Sequence, residues 1–154
     1  DVDANGFDDL ICIGNNGYTR VTHGPDDAQN GMIILNSGSD LSVNRGIDNG
    51  FYVPGDGRGL VWFQKSNQKM GLAAAQNNDF VKIFEPKKPL KFVKAPKNAV
   101  KAYSIMVNGT KKCNYIGMGS GYYSGKTPGV ILNESVKSVI WVDKNGKEMS
   151  KIGI

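Results

Sequence analysis

Histidine, cysteine and arginine are scarce in this 154-residue chain: one, two and three residues, against sixteen lysines. The single histidine, His23, stands in V-T-H-G-P-D-D. A loop histidine before Gly-Pro reads as a turn residue, even with Asp26 and Asp27 close by. No serine or cysteine stands in a nucleophile-elbow or thiol-enzyme context, so acid–base and covalent catalysis lack their usual groups. No catalytic residue is assigned, and an enzyme is not expected. Few arginines mean little capacity for bidentate reading of phosphates or base edges, which excludes sequence-specific nucleic-acid recognition. No apolar run approaches the ~18 residues of a membrane span, and no signal-peptide pattern is present. A chain opening at Asp1 without an initiator Met is expected to be a processed mature protein or an excised fragment.

Glycine is plentiful. Twenty glycines, many in Asn-Gly or Asp-Gly pairs, with few long helix-forming runs, predict short strands joined by tight turns in a single domain over 1–154. Residues 1–56 carry nine aspartates against Arg20 and Arg45, a net −7. Residues 57–154 carry seventeen basic and five acidic groups, a net +12. Such a chain should attract cations at one end and polyanions at the other. Cys12 and Cys113 are compatible with one long-range disulfide. With the sequons at Asn108 and Asn133, they point to a secreted, extracellular glycoprotein.

Three landmarks keep one spacing. Asn5-Gly6, Asp56-Gly57 and Asn108-Gly109 lie 51 and 52 residues apart, and Leu41, Leu90 and Val139 lie 49 and 49 apart. Apolar runs follow each corner, at Leu10–Ile13, Leu60–Phe63 and Cys113–Ile116. Later runs are Met32–Leu35, Phe80–Phe84 and Val130–Leu132, then Leu41–Val43, Leu90–Val93 and Val139–Val142. A fourth strand per unit is expected near Tyr18–Thr22, Met70–Ala74 and Tyr122–Ser124, although Met70–Gln76 could also form a helical turn. Three pseudo-repeats (1–51, 52–102, 103–154) of four strands predict an all-β, β-trefoil-like closed barrel; a β-propeller fragment or a β-prism are the alternatives.

The opening D-V-D-A-N-G-F-D-D-L places oxygen side chains at alternate positions before a glycine, as a hard cation requires of a short loop. It matches D-x-D-x-N/D-G-x-x-D-L and resembles the calcium loop of FG-GAP (VCBS-type) repeats over residues 1–20. The resemblance implies calcium held by Asp1, Asp3, Asn5 and Asp9, with a carbonyl near Phe7. The later corners lack these acids. L-N-E-S-V-K-S-V-I-W, Leu132 to Trp141, more weakly resembles the βγ-crystallin calcium signature through Asn133, Glu134 and Ser138, with Lys137 where that family uses Ser or Thr.

Between Lys82 and Lys101, seven lysines face one acid, Glu85, and Pro86, Pro89 and Pro96 bar a helix. Lys87, Lys88, Lys91 and Lys94 are the anion-binding candidates for an acidic polysaccharide or another polyanion. Tyr18, Tyr122 and Tyr123 stand on Gly-rich turns, where a flat ring can cover the apolar face of a sugar; Trp62 and Trp141 read as core. The expectation is a secreted, non-catalytic, lectin-like carbohydrate-binding protein with a structural calcium. The alternative is a secreted effector, toxin or inhibitor that meets a protein or polyanion through its loops and lysine-rich stretch.

Overall fold

A computed structural model describes residues 1–17, 19–117 and 127–154. The chain is all-β and forms two compact units, Asp1–Lys88 and Pro89–Ile154.

In the first unit, β1 (Leu10–Cys12), β2 (Met32–Asn36) and β3 (Leu41–Arg45) make an antiparallel meander with β2 in the centre. Leu10 faces Ile34, and Ile34 faces Val43. A one-turn helix, α1 (Gly46–Asn49), follows and is closed by Gly50 at φ 85°. A second meander, β4 (Gly57–Gln64), β5 (Met70–Gln76) and β6 (Lys82–Phe84), is ordered β4-β5-β6. Leu60 pairs with Ala74, Trp62 with Leu72, and Leu72 with Phe84. Directly opposed residues share a face. These five side chains therefore point one way, and they pack with Phe51, Val53, Ile11, Ile13 and Ile33 into the core of this unit. Met70–Gln76 is a strand, not a helical turn. Its apolar partners lie across two neighbouring strands, and that pairing outweighs alanine's helical preference.

In the second unit, β7 (Lys91–Lys94) pairs with β10 (Gly129–Leu132). A four-stranded antiparallel sheet has the order β12-β11-β8-β9, with β8 (Lys101–Met106), β9 (Lys111–Tyr115), β11 (Val136–Val142) and β12 (Glu148–Gly153). Val139, Trp141, Ala102 and Met106 point to one side of it and pack with Val130 and Leu132. Trp62 and Trp141 thus belong to the two cores, as the sequence predicts.

Three expectations need correction. Twelve strands are present among the described residues, but they form four separate sheets and none closes into a barrel. The three corners are also conformationally unlike: Gly6 (φ 98°) lies in a loop, Gly57 opens a strand, and Gly109 (φ 86°) sits in a hairpin turn. Equal spacing therefore does not mark one repeated device. The fourth strand expected at Tyr18–Thr22 is not formed by its described residues. Val21 and Thr22 lie in a turn closed by His23 N–H donating to the Arg20 carbonyl, beside an isolated Asn16–Asp26 bridge. Its counterpart at Tyr122–Ser124 lies outside the described residues. Lastly, Cys12 on β1 and Cys113 on β9 are free thiols, each on a strand of a different unit with its own core.

Candidate functional site

The N-terminal loop folds back on itself through its own acids. Asp9 immediately precedes β1 and its side chain is fully buried. Its two oxygens accept the Val2 N–H at 2.6 Å and the Asn36 N–H at 2.9 Å, tying the chain's start to the end of β2. Asp1 accepts the Gly6 N–H, and Asp3 accepts both the backbone and side-chain N–H groups of Asn5. Phe7 then packs on Gly38 in the β2–β3 turn, where a β-carbon would lie 2.4 Å from the ring. One oxygen from each of Asp1, Asp3 and Asp9 falls within 4.8 Å of the others. Asn5 behaves differently. Its side-chain oxygen accepts the Phe7 N–H at 2.8 Å and its amide donates to the Asn36 carbonyl, so it serves the turn. The three acids among the four expected ligands converge. The donor set fits a hard cation in chemistry and spacing, although calcium takes 6–8 oxygens.

The lysine stretch is divided between the units: Lys87 and Lys88 end the first, and Lys91 and Lys94 belong to the second. The Lys88 ammonium donates to the Asp3 carbonyl at 2.9 Å, so it serves the acidic corner. Lys91 and Lys94 lie at odd separation on β7, which sends them to opposite faces of the strand.

A different surface does combine cations and rings. In the four-stranded sheet, Val142 is opposed by Lys101, and Lys101 by Tyr115; Ile140 is opposed by Tyr103, and Tyr103 by Cys113; Ser138 is opposed by Ile105, and Ile105 by Lys111. All of these share the face opposite Trp141 and Val139. On the other side of β11, Lys151 opposes Ile140 and Glu148 opposes Val142. The Lys101 ammonium lies 5.2 Å from the Tyr115 ring centre, and the Lys111 ammonium lies 3.8 Å from that of Tyr103. Tyr115 is 77% exposed. Sequence reading missed this face because β8 straddles the supposed repeat boundary at 102/103. The same-face spacing is visible in K-A-Y-S-I and K-K-C-N-Y, where Lys101 and Tyr103 lie two apart and Lys111 and Tyr115 four apart on either side of Asn108-Gly109.

The tyrosines named as sugar-stacking candidates, Tyr18, Tyr122 and Tyr123, lie outside the described residues. Of the two sequons, Asn108 is exposed at the tip of the β8–β9 hairpin, whereas Asn133 is 8% exposed in the turn between β10 and β11. The Asn133 side-chain oxygen accepts from both the N–H and the hydroxyl of Ser135. Turn formation thus engages the leading residue of the βγ-crystallin-like stretch, and no cluster of three acidic, histidine or cysteine ligands other than Asp1, Asp3 and Asp9 occurs among the described residues. His23 is exposed, 3.2 Å from the Thr22 hydroxyl. Comparison with family models, with curated proteins and with solved structures finds no match to this chain.

Proposed function

We propose that the chain is a secreted, non-catalytic carbohydrate-binding protein whose ligand is an acidic polysaccharide, with calcium as a structural staple at the acidic corner. One observation carries this reading: the charge separates by unit. Unit 89–154 holds eleven lysines, no arginine and three acids, a net +8, whereas unit 1–88 holds eight basic and eleven acidic groups, a net −3. Lysine without arginine gives a field of point charges that attracts polyanions but lacks the planar fork for base or phosphate reading. Two successive three-stranded meanders after an Asp-rich loop also suit a propeller-type framework for unit 1–88. The alternative, a secreted effector, toxin or inhibitor that meets a protein or polyanion through its loops and lysine-rich stretch, is weaker because Lys88 is engaged by the Asp3 carbonyl and Lys91 and Lys94 lie on opposite faces of β7.

The test is retention of the chain on heparin and on polygalacturonate beside a neutral glucan, across a salt gradient. Retention on both acidic matrices and none on the neutral one supports the reading; no retention on either acidic matrix at low salt rejects it. Thermal unfolding with millimolar Ca²⁺ or with EDTA tests the staple, which requires a higher midpoint with the metal and falls if the two midpoints coincide.

A further inference from the structure

The lysine–tyrosine face of the second unit is built differently from an ordinary solvated surface. A free lysine loses rotamer entropy when a ligand fixes it. Lys101 and Lys111 are already drawn onto tyrosine rings by cation–π attraction. Part of that ordering cost is therefore met before any ligand arrives, which is what preorganisation means for affinity. An ammonium over a ring keeps its outward N–H groups available to an anionic oxygen. Tyr115, at the sheet edge, also presents exposed aromatic surface beside its cation.

We infer that the outer face of the β12-β11-β8-β9 sheet, centred on Lys101, Tyr103, Lys111 and Tyr115, is the binding site for an acidic polysaccharide, deepening the functional reading above and resting on it. Lys101 and Lys111 take carboxylate or sulfate groups, Tyr103 holds the Lys111 ammonium in position, and Tyr115 stacks against a sugar ring. The two lysines stand four residues out of step on neighbouring strands, so their backbone positions are roughly 14 Å apart. The ligand is an oligomer, and affinity grows with its length until both cations are engaged. Lys151 extends the positive surface across β12.

Calorimetric titration of the full chain with heparin oligosaccharides and with oligogalacturonate tests this. K101M/K111M is expected to weaken binding by about tenfold or more, and K144M/K147M, which removes the same charge from the exposed β11–β12 turn, by about threefold or less. Y115A keeps every charge and should weaken binding several-fold; circular dichroism and thermal midpoints confirm that the variants fold. Equal losses in the two lysine pairs, or unchanged affinity of Y115A, overturn the site while leaving polysaccharide binding intact. Galacturonic acid binding as tightly as the oligomer also overturns it. An oligo-dT of matched charge that binds more tightly than both polysaccharides reassigns the face to single-stranded nucleic acid. Wild-type protein that binds neither polysaccharide removes the functional reading itself.

Discussion

Gly46 packs its α-carbon against the carbonyl of Phe51: a β-carbon at residue 46 would lie 2.0 Å from that oxygen and 2.8 Å from the Gly31 carbonyl. Both obstacles are backbone, and the Gly46 N–H donates to the Gly31 carbonyl at 2.8 Å. Phe51 cannot retreat freely, because its ring meets Phe84 with centroids 4.7 Å apart in the core of unit 1–88. Gly46→Ala is expected to cost at least the upper part of the about 1–3 kcal/mol typical of overpacking. Gly50→Ala meets nothing within 4 Å and bears only the strain of φ 85°, about 1 kcal/mol. Urea denaturation of the two variants should place Gly46→Ala well below Gly50→Ala; the reverse order would show that residue 46 has room.

Gln68 is a non-glycine residue at φ 64°. It occupies the same place in the β4–β5 hairpin as Gly109 (φ 86°) in β8–β9 and Gly146 (φ 82°) in β11–β12. In each turn the residue in this position donates its N–H to the carbonyl three residues back: Lys65, Met106 and Asp143. Left-handed backbone costs a side-chain-bearing residue about 1–2 kcal/mol, and glycine returns up to about 1 kcal/mol of that as unfolded-state entropy. Gln68→Gly should therefore stabilise the first unit by about 0.5–1 kcal/mol. An unchanged or lower thermal midpoint would count against the shared turn geometry.

Those hairpins also show how far the sequence could be read. The apolar runs at Leu10, Met32, Leu41, Leu60, Leu90, Cys113, Val130 and Val139 all begin in or beside strands, because alternation and β-branched content are local properties. Two strands were missed. β8 was split by the supposed repeat boundary, and β12, E-M-S-K-I-G, carries no apolar alternation of its own; its partner β11 supplies the pairing. The equal spacing of Asn-Gly and Asp-Gly corners misled because Gly6, Gly57 and Gly109 meet different backbone demands. At the acidic corner the convergence of Asp1, Asp3 and Asp9 was legible from alternate spacing. The Lys101–Tyr115 pair was not, since cross-strand register decides it.

The sequons should separate experimentally. Asn108 stands on an exposed hairpin tip, and its side-chain oxygen accepts the Thr110 N–H at 2.9 Å. Asn133 is buried in its turn, its side-chain oxygen held by Ser135. In a secreting eukaryotic host, Asn108→Gln is expected to remove one glycan mass from the intact protein, and Asn133→Gln to remove none. A mass shift confined to Asn133→Gln would contradict the turn described here.

Asp56 is a buried carboxylate, its side chain 5% exposed, with one oxygen 2.6 Å from Arg58 and 3.3 Å from the Asn77 amide. Its other oxygen is buried without a hydrogen-bond partner among the described residues. Arg58, itself about half exposed, is thus the cation that keeps this charge tolerable. Removing one partner of a fully buried pair costs about 3–5 kcal/mol, and an exposed pair contributes about 0–1 kcal/mol. Arg58→Ala should fall between, at about 2 kcal/mol. Adding Asp56→Asn should recover part of that loss, because the orphaned charge goes with it. Chemical denaturation of both variants measures the coupling, and simple additivity would show that the pair does not interact.

Lys65 and Glu85 make an ion pair between the end of β4 and the segment after β6. The hydrogen bond from Lys65, and then its charge, hold the Glu85 carboxyl below its ordinary value of 4.5, against a small opposing effect of desolvation and with a further pull from Lys69. A carboxylate lowered in the folded state binds its proton more readily when unfolded. Its contribution to stability is therefore complete above about pH 4.5 and is lost as the pH falls through the lowered folded value. Glu85→Gln should leave a shallower decline of the thermal midpoint below pH 4.5 than wild type shows, with the two curves converging at the acid end. Because the pair is solvent-exposed, 0.5 M salt should also narrow the difference at pH 7. Parallel pH curves for the two proteins would mean that the contact does not hold the carboxylate in solution.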